Sequence, residues 1–97
     1  MDDHPEEYAL KLRKPVTIGS GTDGITYDTL NLREPRSGEL EKAWKETNHV
    51  SVQITLIALV ASIPRRAAEQ LSQRDFKEAG DYLGGFTKDG PTTGETP

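Results

Sequence analysis

The chain has 97 residues, no cysteine, and 12 basic against 16 acidic residues, for a formal net charge of −4. This length holds one domain with one modest core, and the lack of cysteine excludes disulfides, thiolate nucleophiles and cysteine-held zinc while fitting a reducing cytosol. The acidic balance speaks against sequence-independent DNA binding, which depends on neutralising phosphates.

Residues 1–7 carry Asp2, Asp3, His4, Glu6 and Glu7. They read as a disordered acidic arm and not as a signal peptide, which starts basic and then turns apolar. A period of two follows in Leu10, Leu12, Lys14, Val16 and Ile18, the signature of a strand with one buried face. Pro15 interrupts it, so this strand lies at an edge or bulges there. Residues 19–24 are turn-rich, and a second run, Ile25, Tyr27, Leu30 and Leu32, slips phase after Tyr27. A bulge or bend is therefore expected near Asp28 and Thr29. The two runs pair most simply as an antiparallel hairpin.

Pro35 ends the second strand. Ser37 reads as a helix N-cap, with Glu39 and Glu41 in the favourable first turn. Leu40, Ala43, Trp44 and Thr47 share a face of a helix over residues 37–48, which Asn48 is expected to close. Residues 50–63 are hydrophobic at ten of fourteen positions. Their Val and Ile content allows a strand, but fourteen residues is long for one, and Val52, Leu56, Leu59, Val60 and Ile63 fit a helical face. The uncharged stretch over residues 50–64 is too short to span a membrane. Pro64 ends this helix and opens a short one over 65–71, burying Ala67, Ala68 and Leu71. Ser72 with Asp75 forms a capping-box variant, after which Phe76, Ala79, Leu83 and Phe86 recur at helical spacing. Gly84 and Gly85 stop this last helix. Residues 87–97 contain no hydrophobic residue and read as a disordered tail. The domain is thus expected over residues 8–86, with an α+β fold: an N-terminal β-hairpin followed by three to four short helices.

Candidate chemistry is sparse. Gly19-x-Gly21-x-x-Gly24 matches the dinucleotide fingerprint by letter, but it leads into a strand and not a helix, so it reads as a loop. His4 lies in the acidic arm, and His49 has no partner at ligand spacing. No serine has a histidine partner or a nucleophile-elbow context. The residues therefore point to no enzyme, no metal and no cofactor. Lys11, Arg13 and Lys14 form a small basic patch. Arg65, Arg66, Arg74 and Lys77 form another, interleaved with Glu69, Asp75, Glu78 and Asp81 as on a mixed solvated surface, which disfavours nucleic acid. Trp44, the single tryptophan, reads as a core plug beside Leu40, with a binding hot spot as the alternative.

The ordered string is more specific than its parts. Lys14-Pro15-Val16-x-Ile18 leads to Leu30-x-Leu32-Arg33-Glu34-Pro35 and then Gly38-Glu39-Leu40. An apolar helix with Leu56-Ile57-Ala58 ends at Ile63-Pro64, and Leu71-x-x-x-Asp75-Phe76 and Leu83-x-x-Phe86 follow. This string, over residues 10–86, resembles the small tail assembly chaperones of Mu-like and related contractile-tailed phages and prophages. The resemblance implies a protein absent from the virion that binds the tape measure protein and keeps it soluble in the host cytoplasm until the tail tube polymerises around it. It also implies a second, frameshifted length of the same product. A small structural tail or baseplate connector is the alternative function. Partner contact is expected through Leu83, Phe86 and Trp44, while Arg33, Glu34 and Pro35 are read as a structural corner in which Arg33 and Glu34 pair or cap. The tape measure protein is the expected partner, with the tail tube protein as a further contact. Self-association through a free strand edge is open, and neither nucleic acid nor membrane is expected.

Overall fold

Alternation decides the first half of the molecule. Leu10, Leu12 and Val16 are buried along β1 (Glu7–Ile18), and Leu30 and Leu32 along β2 (Ile25–Arg33). The two strands form an antiparallel two-stranded sheet with Leu10 opposite Leu30, Tyr8 opposite Leu32 and Val16 opposite Tyr27. A 3-10 turn (Gly21–Asp23) lies in the connection. Gly19 adopts a left-handed φ of 90°, where a Cβ would also stand 3.2 Å from the Asp23 carbonyl oxygen, so a side chain there would be strained. The Gly-rich segment is accordingly a strand-to-strand turn. The structure is a computed structural model, and it describes residues 5–19 and 21–87.

The register breaks between Lys11 and Val16. Lys11 faces Thr29 and Val16 faces Tyr27, so residues 12–15 of β1 stand opposite Asp28 alone. The phase slip at Asp28 and the proline in β1 are therefore two signs of one irregularity, and its extra residues lie on the Pro15 strand. Pro15 needs no ladder partner there.

The helices are α1 (Ser37–Ala43), α2 (His49–Ala61), α3 (Arg65–Ala68) and α4 (Gln73–Gly84), followed by a 3-10 turn (Gly85–Thr87). Two caps differ from the sequence reading. Arg36, not Ser37, is the N-cap of α1; the Glu39 carboxylate reaches back to accept from the Arg36 backbone N–H at 2.9 Å, so no capping hydroxyl is needed. Asn48 does not close α1, which stops at Ala43; its Oδ1 accepts from the Ser51 N–H at 2.8 Å and so opens α2. Ser62, at φ 59°, ends α2 in the left-handed conformation, and α3 is shorter than the expected 65–71. Ser72 caps α4 by accepting from the Asp75 N–H.

The apolar α2 is the centre of the helical layer and touches β2, α1, α3 and α4. Leu56, Ile57, Ala58 and Val60 are buried on it, which explains why its apolar pattern is broad and not one-sided. Gly80 of α4 lets the Gln53 side chain approach, since a Cβ there would stand 3.3 Å from Gln53 Nε2. The core joins the inner hairpin face to α2, Ala43, Ala67, Ala68, Ala79, Tyr82 and Leu83. None of the helices among the described residues is long and apolar enough to cross a membrane. Of the acidic arm expected over 1–7, residues 1–4 lie outside the described residues, while Pro5 and Glu6 accept hydrogen bonds and Glu7 begins β1. The tail expected over 87–97 lies outside them from residue 88 onwards.

Candidate functional site

Two places on this scaffold gather polar or apolar groups in ways the fold alone does not require. At one end, Asp75 is fully buried. Its Oδ1 accepts from the Arg13 N–H at 3.1 Å and its Oδ2 from the Lys14 N–H at 3.2 Å. Burial pushes this carboxyl up, but the two backbone donors and the Ser72 hydroxyl outweigh it and hold it below the ordinary range. The bulge exposes two ladder N–H groups, and α4 supplies the acceptor for both. Asp75 is thus an internal clamp, not part of a solvated mixed surface as its spacing suggested.

At the other end lies an apolar groove of about 240 Å³. Leu40 of α1 and Trp44 just beyond it form one wall, and Val52, Gln53 and Leu56 of α2 form the floor. Leu83, Gly84 and Phe86 at the end of α4 form the opposite wall, and Glu34 and Pro35 close the corner. The groove therefore brings Trp44, Leu83, Phe86, Glu34 and Pro35 together. Trp44 is not a core plug: it is 71% exposed, because α1 ends before it and leaves the indole on the rim. Leu83 is 4% exposed, so it shapes the wall from within the core, while Phe86 is half-buried and meets Tyr82 edge-on with ring centroids 5.2 Å apart.

The corner is held by Arg33. Its guanidinium forks onto Glu39, with nitrogen–oxygen distances of 2.9 and 2.6 Å, and also donates to the Glu34 carbonyl at 3.1 Å. Arg33 reaches Glu34 only at this backbone oxygen; its carboxylate partner is Glu39. That bond and the Arg36 N–H hold the Glu39 carboxyl down at about 2 against burial. The end of β2 is thereby tied to α1, which fixes one wall of the groove.

The floor holds one polar anomaly. Gln53 Nε2 is buried without a hydrogen-bond partner among the described residues. Sequence reasoning missed it because a glutamine in an apolar helix carries no mark of which way it points. Tyr82 was also missed, although it lies one helical turn before Phe86. Its hydroxyl donates to the Pro5 carbonyl at 2.8 Å, and burial, then the charges of Glu7, Glu34 and Glu6, raise its pKa.

Among the described residues no group of three histidine, aspartate or glutamate side chains is placed to hold a metal ion. His49 is exposed at the start of α2, and His4 lies outside the described residues. In the second basic patch, Arg65 bonds Thr55 and pairs with Glu46 and Glu69, and Lys77 pairs with Asp81.

Comparison with known proteins gives one positive finding. The family model described as "Phage tail assembly chaperone proteins, E, or 41 or 14" matches residues 9–88. The match begins in β1 and runs to just beyond the last 3-10 turn, so it takes in both strands, all four helices and the groove. No curated protein and no solved structure matches the chain.

Proposed function

The chain belongs to the phage tail assembly chaperone family, and from that premise we propose that it binds apolar segments of the tape measure protein and keeps that client soluble until the tail tube encloses it. The observation that carries this reading is the groove with Trp44 exposed on its rim. An aromatic anchor beside an apolar floor is the usual composition of a binding hot spot, and a solvent-facing apolar groove in a small acidic protein suits transient cover of another chain's apolar stripe. The work is done by contact alone, without cofactor or chemical step. It takes place in the host cytoplasm, with the tail tube protein as the partner that takes over the client and with no part left in the mature particle.

The test is co-expression with the tape measure protein of the same phage, followed by size-exclusion chromatography with mass determination. The client is expected to become soluble and to co-elute with this chain. Val52→Glu places a charge on the groove floor at a half-buried position and is expected to abolish co-elution while the variant stays folded. A client that precipitates while the wild-type chain elutes free sinks the reading for this form of the protein. Recovery of the chain from purified virions supports the structural connector in its place.

A further inference from the structure

The groove is apolar within and acidic at one corner, where Glu34 is the carboxylate in its lining. Glu34 stands on its corner wall. The Glu34 N–H donates to the Glu6 carbonyl at 3.2 Å, and Glu7 is paired across the sheet with Arg33. These bonds bring Glu6, Glu7 and Glu34 to the same end of the hairpin, where Glu34 lines the groove and Glu7 lines a separate concavity with Ala9, Asn31 and Arg33. The charges of all three reach Tyr82, whose ring abuts Phe86 in the groove wall. No ion pair engages any of the three among the described residues. The neighbouring cation Arg33 is held by Glu39, and the charge of Arg36 also acts on Glu39.

The walls determine what can lie there. They come mostly from α1, α2 and α4, no residue of either strand lines them, the Glu34 N–H is taken by the Glu6 carbonyl, and Pro35 has no N–H to offer. An extended segment entering the groove would find no edge to pair with and would bury its own backbone groups unsatisfied. A helix satisfies its backbone internally and presents side chains at helical spacing. A cavity of about 240 Å³ lies below the size common for small-molecule pockets, about 300–1,000 Å³. It is suited to a few anchor side chains from a helix lying across its mouth. A second copy of this chain brings a net charge of −4 to an acidic rim, which disfavours it.

We propose that the groove takes an amphipathic helix that carries lysine or arginine beside its apolar stripe, oriented so that the cation meets Glu34, with Glu6 beside it. The inference rests on the client-binding reading of the groove and adds to it the charge and orientation of the segment bound. The apolar contacts supply affinity, and Glu34, with Glu6 beside it, selects which end of the helix lies at Phe86.

The test uses the full chain and two synthetic peptides of about 18 residues, long enough to form a helix. Both carry the same leucine stripe; one is flanked by lysines and the other by glutamates. Trp44, the single tryptophan, reports binding by its emission. The lysine peptide is expected to bind tighter by about two- to five-fold for each cation–carboxylate pair formed, and high salt is expected to erase the preference. Glu34→Lys is expected to lower the preference for the lysine peptide while the circular dichroism spectrum stays that of the wild type. Equal binding of the two peptides at low salt overturns the proposal, as does a Trp44 emission that neither peptide changes. If the native client co-elutes but the peptides show no preference, the client-binding reading stands and the charge inference falls. If the lysine peptide binds selectively but the native client does not co-elute, the groove chemistry stands and the client falls.

Discussion

The Asp75 clamp and the Trp44 groove lie on the same small domain and follow opposite rules. At the clamp, a fully buried carboxylate meets two backbone N–H groups that the β1 bulge would otherwise leave unpaired. Each polar group there is answered from within the chain. At the groove, an indole is 71% exposed and a buried amide nitrogen has no acceptor among the described residues. A protein that completes one end and leaves the other open has been shaped for stability at the first and for a partner at the second. Replacements at the clamp should therefore cost folding, whereas replacements at the groove should cost binding.

The largest effect is expected at Asp75. Asp75→Ala leaves the Arg13 and Lys14 amides buried without an acceptor and should destabilise the protein by about 3 kcal/mol, read from urea unfolding. Asp75→Asn keeps one acceptor but turns an NH2 toward an N–H, and should cost about half as much. A loss within about 0.5 kcal/mol for both would mean that water replaces the carboxylate and that the clamp is not closed.

Next comes acid. Glu39 falls from 4.5 to about 2 in the folded chain, chiefly through its bond to Arg33, and Asp75 is also held low. A carboxyl depressed by folding contributes stability that is present above its unfolded pKa and lost as pH falls toward its folded pKa. The pair is partly solvated, so its share is about 1–2 kcal/mol, lost between about pH 4.5 and pH 2. Glu39→Gln should flatten that part of the stability curve. An unchanged slope in the variant would show that Arg33 does not grip Glu39 in solution.

Much of the fold could be read locally, because its determinants are near each other in the chain. Alternation at Leu10, Leu12, Leu30 and Leu32 defines the hairpin, and the length of the apolar run separates helix from strand in α2. Ser72 and Asp75 mark the start of α4 within four residues. The candidate site was less legible. Asp75 acts on residues 62 and 61 positions away, and Arg33 chooses Glu39 over its neighbour Glu34 only because α1 turns back at Pro35. Trp44 shares a helical face with Leu40 in a continuous helix. The chain leaves the helix at Ala43, where Asn48 caps the next one instead, and the indole moves to the rim. Sequence spacing carries no record of that early stop.

A smaller effect, opposite in sign, is expected at the groove floor. Gln53→Met keeps the length of the side chain and removes the unanswered amide, so it should stabilise the free protein by about 1 kcal/mol. A lower unfolding midpoint for Gln53→Met would show that Nε2 is bonded in solution, and the contrast between the two ends would then lose half its support.

The smallest effect on stability is expected from the largest side chain. Trp44→Ala removes an indole that is mostly in water already, so unfolding should change by no more than about 0.5 kcal/mol. Trp and Phe truncated in a core cost about 3–5 kcal/mol, so the two cases are easy to tell apart. Client co-elution, by contrast, should be lost, because the rim loses its aromatic anchor while Leu40, Val52 and Leu56 alone offer a shallow floor. A variant that unfolds several kcal/mol more readily would mean that the indole folds down into the groove when no client is present. The groove would then be closed by its own lid, and client binding would have to displace Trp44 before the apolar floor became available.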